Sequence, residues 1–103
     1  MATLTVTYMR AFPNVYGTQA AAIGCGFGAR SEVLTLPATG TLVAGNGENA
    51  VELLADADCW VAIGPSPSTS ESGGVRAAHR LKAGIPYQYQ VDGGHTVAAS
   101  AVA

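Results

Sequence analysis

Few side chains in this sequence could do chemistry, and they are scattered. Glu52, Asp56 and Asp58 form the one acidic cluster, His79 and His95 are the only histidines, and Cys25 and Cys59 are the only cysteines. Paired carboxylates can carry acid–base catalysis or hold a divalent cation. Here no Asp-x-Asp-Gly loop and no partner histidine accompanies them, and aspartate at a strand entry is ordinary turn chemistry. We read Asp56 and Asp58 as structural. The cysteines lie 34 positions apart, which fits no metal-ligand spacing, and two cysteines do not define a disulfide framework. They read as buried thiols acting as small apolar residues, with a Cys25–Cys59 bridge as the alternative. His79 falls on the apolar side of an alternating stretch and reads as hydrogen-bonded structure. His95 follows the turn Asp92-Gly93-Gly94 and reads as exposed at a strand start.

Gly24, Gly26 and Gly28 stand at alternate positions and invite comparison with a dinucleotide-binding turn. That turn needs a strand before it, a long helix after it and an acidic residue about 20 positions on. Arg30 to Leu36 reads as a strand instead, so no cofactor is expected. The glycines fit a strand face that lets another backbone approach closely, or a flexible arm lying on a partner subunit. The sequence gives no catalytic, cofactor-binding or metal-ligating residue, and we expect a protein that is not an enzyme.

Composition points the same way. Of 103 residues only 12% are charged while 49% are hydrophobic, and mean hydropathy is +0.26. Typical soluble domains carry about 25% charged residues. A chain of this length forms one domain and cannot hide half its residues, so apolar surface is left for neighbours to cover. A net charge of −2 supplies no basic field for phosphates, so nucleic-acid binding is disfavoured. No apolar run approaches a membrane span, and residues 1–8 alternate without a basic, then apolar, leader. Synthesis and folding in a reducing cytoplasm is expected.

The elements that must position these residues are strands. Leu4, Val6 and Tyr8 alternate with threonines, the mark of a half-buried strand. Arg10 to Gly17 reads as a loop or irregular edge, and 10–29 as an extended or irregular segment of the single domain 1–103. Val33 and Thr35 oppose Leu34 and Leu36, Ala38-Thr39-Gly40 reads as a turn, and Thr41 to Ala44 as a short strand. Gly45 to Asn49 is a hairpin-type loop, because Asn-Gly takes positive φ readily. Ala50 to Ala55 has helical propensity but runs straight into the next strand, so strand is favoured. Asp58 to Ile63 is the central strand, ended by Gly64-Pro65-Ser66-Pro67. Residues 64–74 form a solvated loop making a long hairpin connection to Val75–Leu81. Tyr87, Tyr89 and Val91 alternate with glutamines, their hydroxyls seeking partners at the rim. Thr96 to Val102 is uncharged and must be paired, internally or by a neighbour. The pattern predicts an all-β fold of about seven or eight short strands: a single β-sandwich or small barrel, Greek-key or jelly-roll-like. Trp60, Val61, Ile63, Leu81, Tyr87, Tyr89 and Val91 are its expected core.

Ala57-Asp58-Cys59-Trp60-Val61-Ala62-Ile63-Gly64-Pro65-Ser66-Pro67, a Ser/Thr loop, Arg80-Leu81-Lys82-Ala83-Gly84-Ile85-Pro86-Tyr87 and Val91-Asp92-Gly93-Gly94-His95-Thr96-Val97-Ala98 follow one another. This arrangement, over about residues 48–102, resembles small virion proteins of tailed bacteriophages. The resemblance implies a structural subunit that decorates or cements a capsid, with the major capsid protein and copies of itself as partners. It implies residence on the capsid surface and no catalytic residues. A neck, collar or tail protein is the alternative within that class. A carbohydrate- or ligand-binding sandwich is the other reading, and it requires Trp60, Tyr87 and Tyr89 on one exposed face. Expected contact regions are the N-terminal strand, residues 10–29 and the loop 65–74.

Overall fold

A computed structural model describes residues 2–16, 19–24 and 28–102, with residues 12–16 and 19–24 described by backbone alone. The strands are β1 (Thr3–Met9), β2 (Ala11–Tyr16), β3 (Gln19–Gly24), β4 (Arg30–Thr35), β5 (Ala38–Thr39) and β6 (Ala50–Ala55). They continue with β7 (Cys59–Gly64), β8 (Glu71–Ser72), β9 (Val75–Arg76), β10 (His79–Leu81), β11 (Tyr87–Gln90) and β12 (Thr96–Ala101). The fold is all-β. Eight of these strands form two four-stranded antiparallel sheets, ordered β11-β6-β1-β4 and β10-β7-β12-β5. The described residues thus form twelve strands where seven or eight were expected, the other four forming two separate hairpins, β2-β3 and β8-β9.

Alternation decides which faces meet. Leu4, Val6 and Tyr8 of β1 lie beside Ala55, Leu53 and Val51 of β6 and are buried. Cys59 and Val61 of β7 lie beside Leu81 of β10 and Ala99 of β12, also buried. Each of these leucines and valines contributes about 1.5–3 kcal/mol on leaving water. The two faces close into one core that also holds Leu34, Val91 and Val97. Tyr87, Tyr89 and Ile63 pack at its margin. Trp60 does not join it. The sandwich therefore confirms Val61, Leu81 and Val91 as core and puts Trp60 on the opposite face of β7.

Several boundaries differ from the expectation. Ala38–Thr39 is a strand, not a turn, because its backbone pairs with Ala98–Ala99 of β12. Residues 41–44 are irregular: Thr41 and Leu42 donate their amides to the Glu32 carboxylate instead of to a neighbouring strand. The turn at Gly47 (φ 89°) consequently joins different sheets and makes no hairpin. Asp92-Gly93-Gly94 likewise links β11 to β12 across the sandwich. Val75–Leu81 breaks in two, since β9 pairs with β8 while β10 pairs with β7. Ala11–Tyr16 is a regular strand where a loop or irregular edge was expected. The uncharged terminal strand β12 is paired internally along its whole length by β7.

Candidate interaction surface

Of the three expected contact regions, 10–29 has the most distinctive geometry. β1 and β4 are antiparallel neighbours ending at the Tyr8–Arg30 pair, and the β2-β3 ladder begins at Ala11–Gly24. The hairpin thus continues the β1-β4 ribbon beyond the sandwich as an arm. Its length appears in the molecular dimensions of 44 × 27 × 24 Å, and in a radius of gyration of 14.1 Å against about 13 Å for a compact chain this size. Asn49 fastens the arm at its root. Its side-chain amide accepts from the Ala11 N–H at 2.7 Å and donates to the Ala11 carbonyl at 3.0 Å, so one side chain takes the place of a strand neighbour. Between that root and β11 lies a concavity of about 320 Å³, lined by uncharged residues including Gln88, Tyr89 and Gln90.

The loop after β7 folds back over the outer face of the second sheet. Thr69 donates its hydroxyl to Ser100 on β12 at 2.8 Å, and Arg76 donates to the Thr69 carbonyl at 2.6 Å. Outward-facing Ala62 and Ala98 are accordingly only 5% exposed. The loop is anchored where the sequence suggested simple solvation. Gly73 and Gly74, with φ of 60° and 80°, make the tight turn between β8 and β9 that only glycine adopts without strain. The Arg76 guanidinium lies 4.7 Å from the Trp60 ring centre and that of Arg80 5.9 Å away, so Trp60 carries two cations on its outer face. Tyr87 and Tyr89 belong to the other sheet and face inward. The three aromatic residues form no common platform.

The candidate chemical residues are placed apart and given structural partners. Asp56 accepts from both the amide and the hydroxyl of Thr3, which holds its carboxyl below the usual aspartate range. Asp58 accepts from the Ala83 amide at the Gly84 corner, with Arg80 3.6 Å away, and is lowered too. Glu52 accepts from Gln88 on the neighbouring strand. His79 shares the face of Leu81, as its alternation implied, yet is exposed and stacks on Tyr89 with ring centres 4.8 Å apart. That stack joins the edge strands of the two sheets. His95 is half-buried, and its Nδ1 accepts from the Asp92 amide inside the turn. Cys59 is fully buried, and desolvation, followed by the charge of Asp58, pushes its thiol pKa up. Cys25 and Gly26 lie outside the described residues, as do the expectations of a bridge and of a glycine-lined face.

The sequence reading passed over the groups that close the opposite edge. Glu32, on the core-facing phase of edge strand β4, accepts from Thr41 N at 3.2 Å, Thr41 Oγ1 at 2.9 Å and Leu42 N at 2.7 Å. Arg30, on the same phase, pairs with Glu48 and donates to the Val43 carbonyl at 2.7 Å. Glu48 is held below the usual carboxylate range by that guanidinium and by the Gly45 amide. Thr96 and Tyr8 both donate to the Leu42 carbonyl, at 2.8 and 3.3 Å. The available signal was phase: Arg30 and Glu32 alternate in step with Leu34, and charges pointing inward mark a sheet edge.

Among known proteins, no family model, no curated protein and no solved structure matches the chain.

Proposed function

We propose that this protein is a non-enzymatic structural subunit of a tailed-bacteriophage virion, a decoration or cement protein that binds the capsid shell and sister copies. The observation that carries the reading is the arm: a small sandwich that spends its polar side chains on fastening its own loops extends an uncharged ribbon beyond its core. Residues 11–29 contain no Asp, Glu, Lys or Arg, so burial against a neighbour would desolvate no side-chain charge there. The motif order over residues 57–98 and the low charge of the whole chain support the same assignment. Synthesis in the host cytoplasm and residence on the capsid surface follow from it. A neck, collar or tail position is the second reading, since the same arm would serve in a ring. The ligand-binding alternative loses its platform, because Trp60 and the two tyrosines occupy different sheets.

Quantitative mass spectrometry of purified particles tests the assignment. A copy number equal to that of the major capsid protein, or a simple fraction of it, is expected for a decoration subunit. A single ring's worth of copies would move the protein to the neck or tail, and absence from particles would overturn the virion reading.

A further inference from the structure

The two edges of the arm are built differently. A two-stranded ribbon is marginal in water unless a third strand or a packed face supports it. Tyr16 opposes Gln19 with two residues between them, and in such a hairpin that flanking pair exchanges both hydrogen bonds. The intervening pairs, Val15–Ala20, Pro13–Ala22 and Ala11–Gly24, then direct their backbone groups away from the ribbon. Ala11 fixes this phase independently, because its N–H and C=O are both taken from outside by Asn49.

On β2 the outward positions are Ala11, tied to Asn49, Pro13, which has no N–H, and Val15. On β3 they are Ala20, Ala22 and Gly24, each with a donor and an acceptor. Natural sheets protect open edges with charge, proline, a bulge or a covering segment. β2 has such protection. β3 pairs with β2 in unbroken register, contains neither charge nor proline, and has β2 as its sole sheet neighbour among the described residues.

We propose that β3 is the joint through which two copies of this chain associate, antiparallel across a two-fold axis at Ala22. The product is a four-stranded sheet with both β3 strands at its centre. Ala22 faces its counterpart and each Ala20 faces the other copy's Gly24, giving about six backbone hydrogen bonds, two for each opposed pair. On this axis Ala22 opposes itself, so a charge there would face its like, while Ala20 opposes Gly24 and Ala21 opposes Ile23. Gln19-Ala20-Ala21-Ala22-Ile23-Gly24 has no charge at any of these positions and so permits the two-fold pairing. The small residues also leave both backbones free to close to ladder distance.

The inference specifies where the self-association contained in the virion reading occurs, and it is tested without particles. Sedimentation equilibrium of the full chain is expected to give twice the 10.4 kDa chain mass at micromolar to millimolar concentration. Ala22→Pro removes an outward N–H without touching the β2 ladder, and Ala22→Lys sets two cations face to face. Each is expected to raise the dimer dissociation constant at least about tenfold, with a cooperative thermal transition retained. Val33→Lys, on the exposed face of the first sheet, is expected to leave the dimer intact. If Ala22→Pro fails to fold, Ala22→Lys decides. A monomeric full chain, a dimer indifferent to both Ala22 changes, or one dissolved by Val33→Lys would each overturn the joint. Copy number in particles reads the virion assignment separately, so either can fail alone.

Discussion

At the residue scale, the carboxylates of this protein act as acceptors for backbone and guanidinium donors, and that gives them a signature in acid. Asp56, Asp58 and Glu48 all titrate below their ordinary values of 3.8, 3.8 and 4.5 in the folded chain. The unfolded chain then binds protons more readily, so folding is favoured above the ordinary values and progressively less as pH falls through the folded ones. We expect urea midpoints to be level from pH 7 to about 5 and to drop below about 4.5. Glu48→Gln should remove part of that drop, and a midpoint equally acid-sensitive with and without Glu48 would contradict the role given to its pairing with Arg30. The hydroxyl of buried Tyr8, pushed up by desolvation, has no part in this range.

At the element scale, loops are held by side chains and strands by their neighbours, and the arm root uses both. Asn49 donates its own amide to the Met9 carbonyl and accepts through its carbonyl from Val91, while its side chain bonds Ala11. Asn49→Ala is expected to cost roughly 1–2 kcal/mol, since it strips partners from two groups of Ala11 at once. Amide exchange at Ala11 should accelerate by about tenfold or more, while exchange at Val51 and Leu53 in the sheet beside it changes only with global stability. Equal acceleration at all three would mean that the side chain supports the whole sandwich and not the arm. The β8-β9 hairpin shows the same division: its ladder is two residues long, and Arg76 holds it to Thr69 and Trp60.

At the scale of the whole molecule, two sheets share one core, and every side chain's contribution depends on which face of the pleat it takes. Leu53 is fully buried, whereas its neighbour Leu54 is 42% exposed on the outer face. Leu53→Ala is expected to cost about 3 kcal/mol and Leu54→Ala about 0.5 kcal/mol or less, read by chemical denaturation. Reversed values would require a one-residue register slip, which turns every side chain of a strand to the other face. A loss near 3 kcal/mol is a large part of the 5–15 kcal/mol typical of such domains. The exposed Val33 and Leu54 flank Thr5 on one outer face, apolar surface that a chain with 49% hydrophobic residues and one small core leaves outside.

The sequence by itself determined the all-β class, the alternating strands β1, β7 and β11, and the core positions Leu4, Val6, Val61 and Leu81. Period-2 burial is a local property, written into the order of residues whatever the partner strand. It also disclosed the uncharged stretch 11–29. Only the tertiary structure decided which strands pair. Val75–Leu81 carries a single alternation yet serves two partners, and Gly45–Asn49 and Asp92–Gly94 have hairpin chemistry but join opposite sheets. A turn's φ angles are fixed by its own residues, while the direction in which the chain leaves depends on where a distant edge accepts it. The same reason hid the polar fastenings. Glu32 meets Thr41 and Leu42, Asn49 meets Ala11 and Arg76 meets Trp60 only because the folded sheets bring separate segments of chain within hydrogen-bonding or stacking distance.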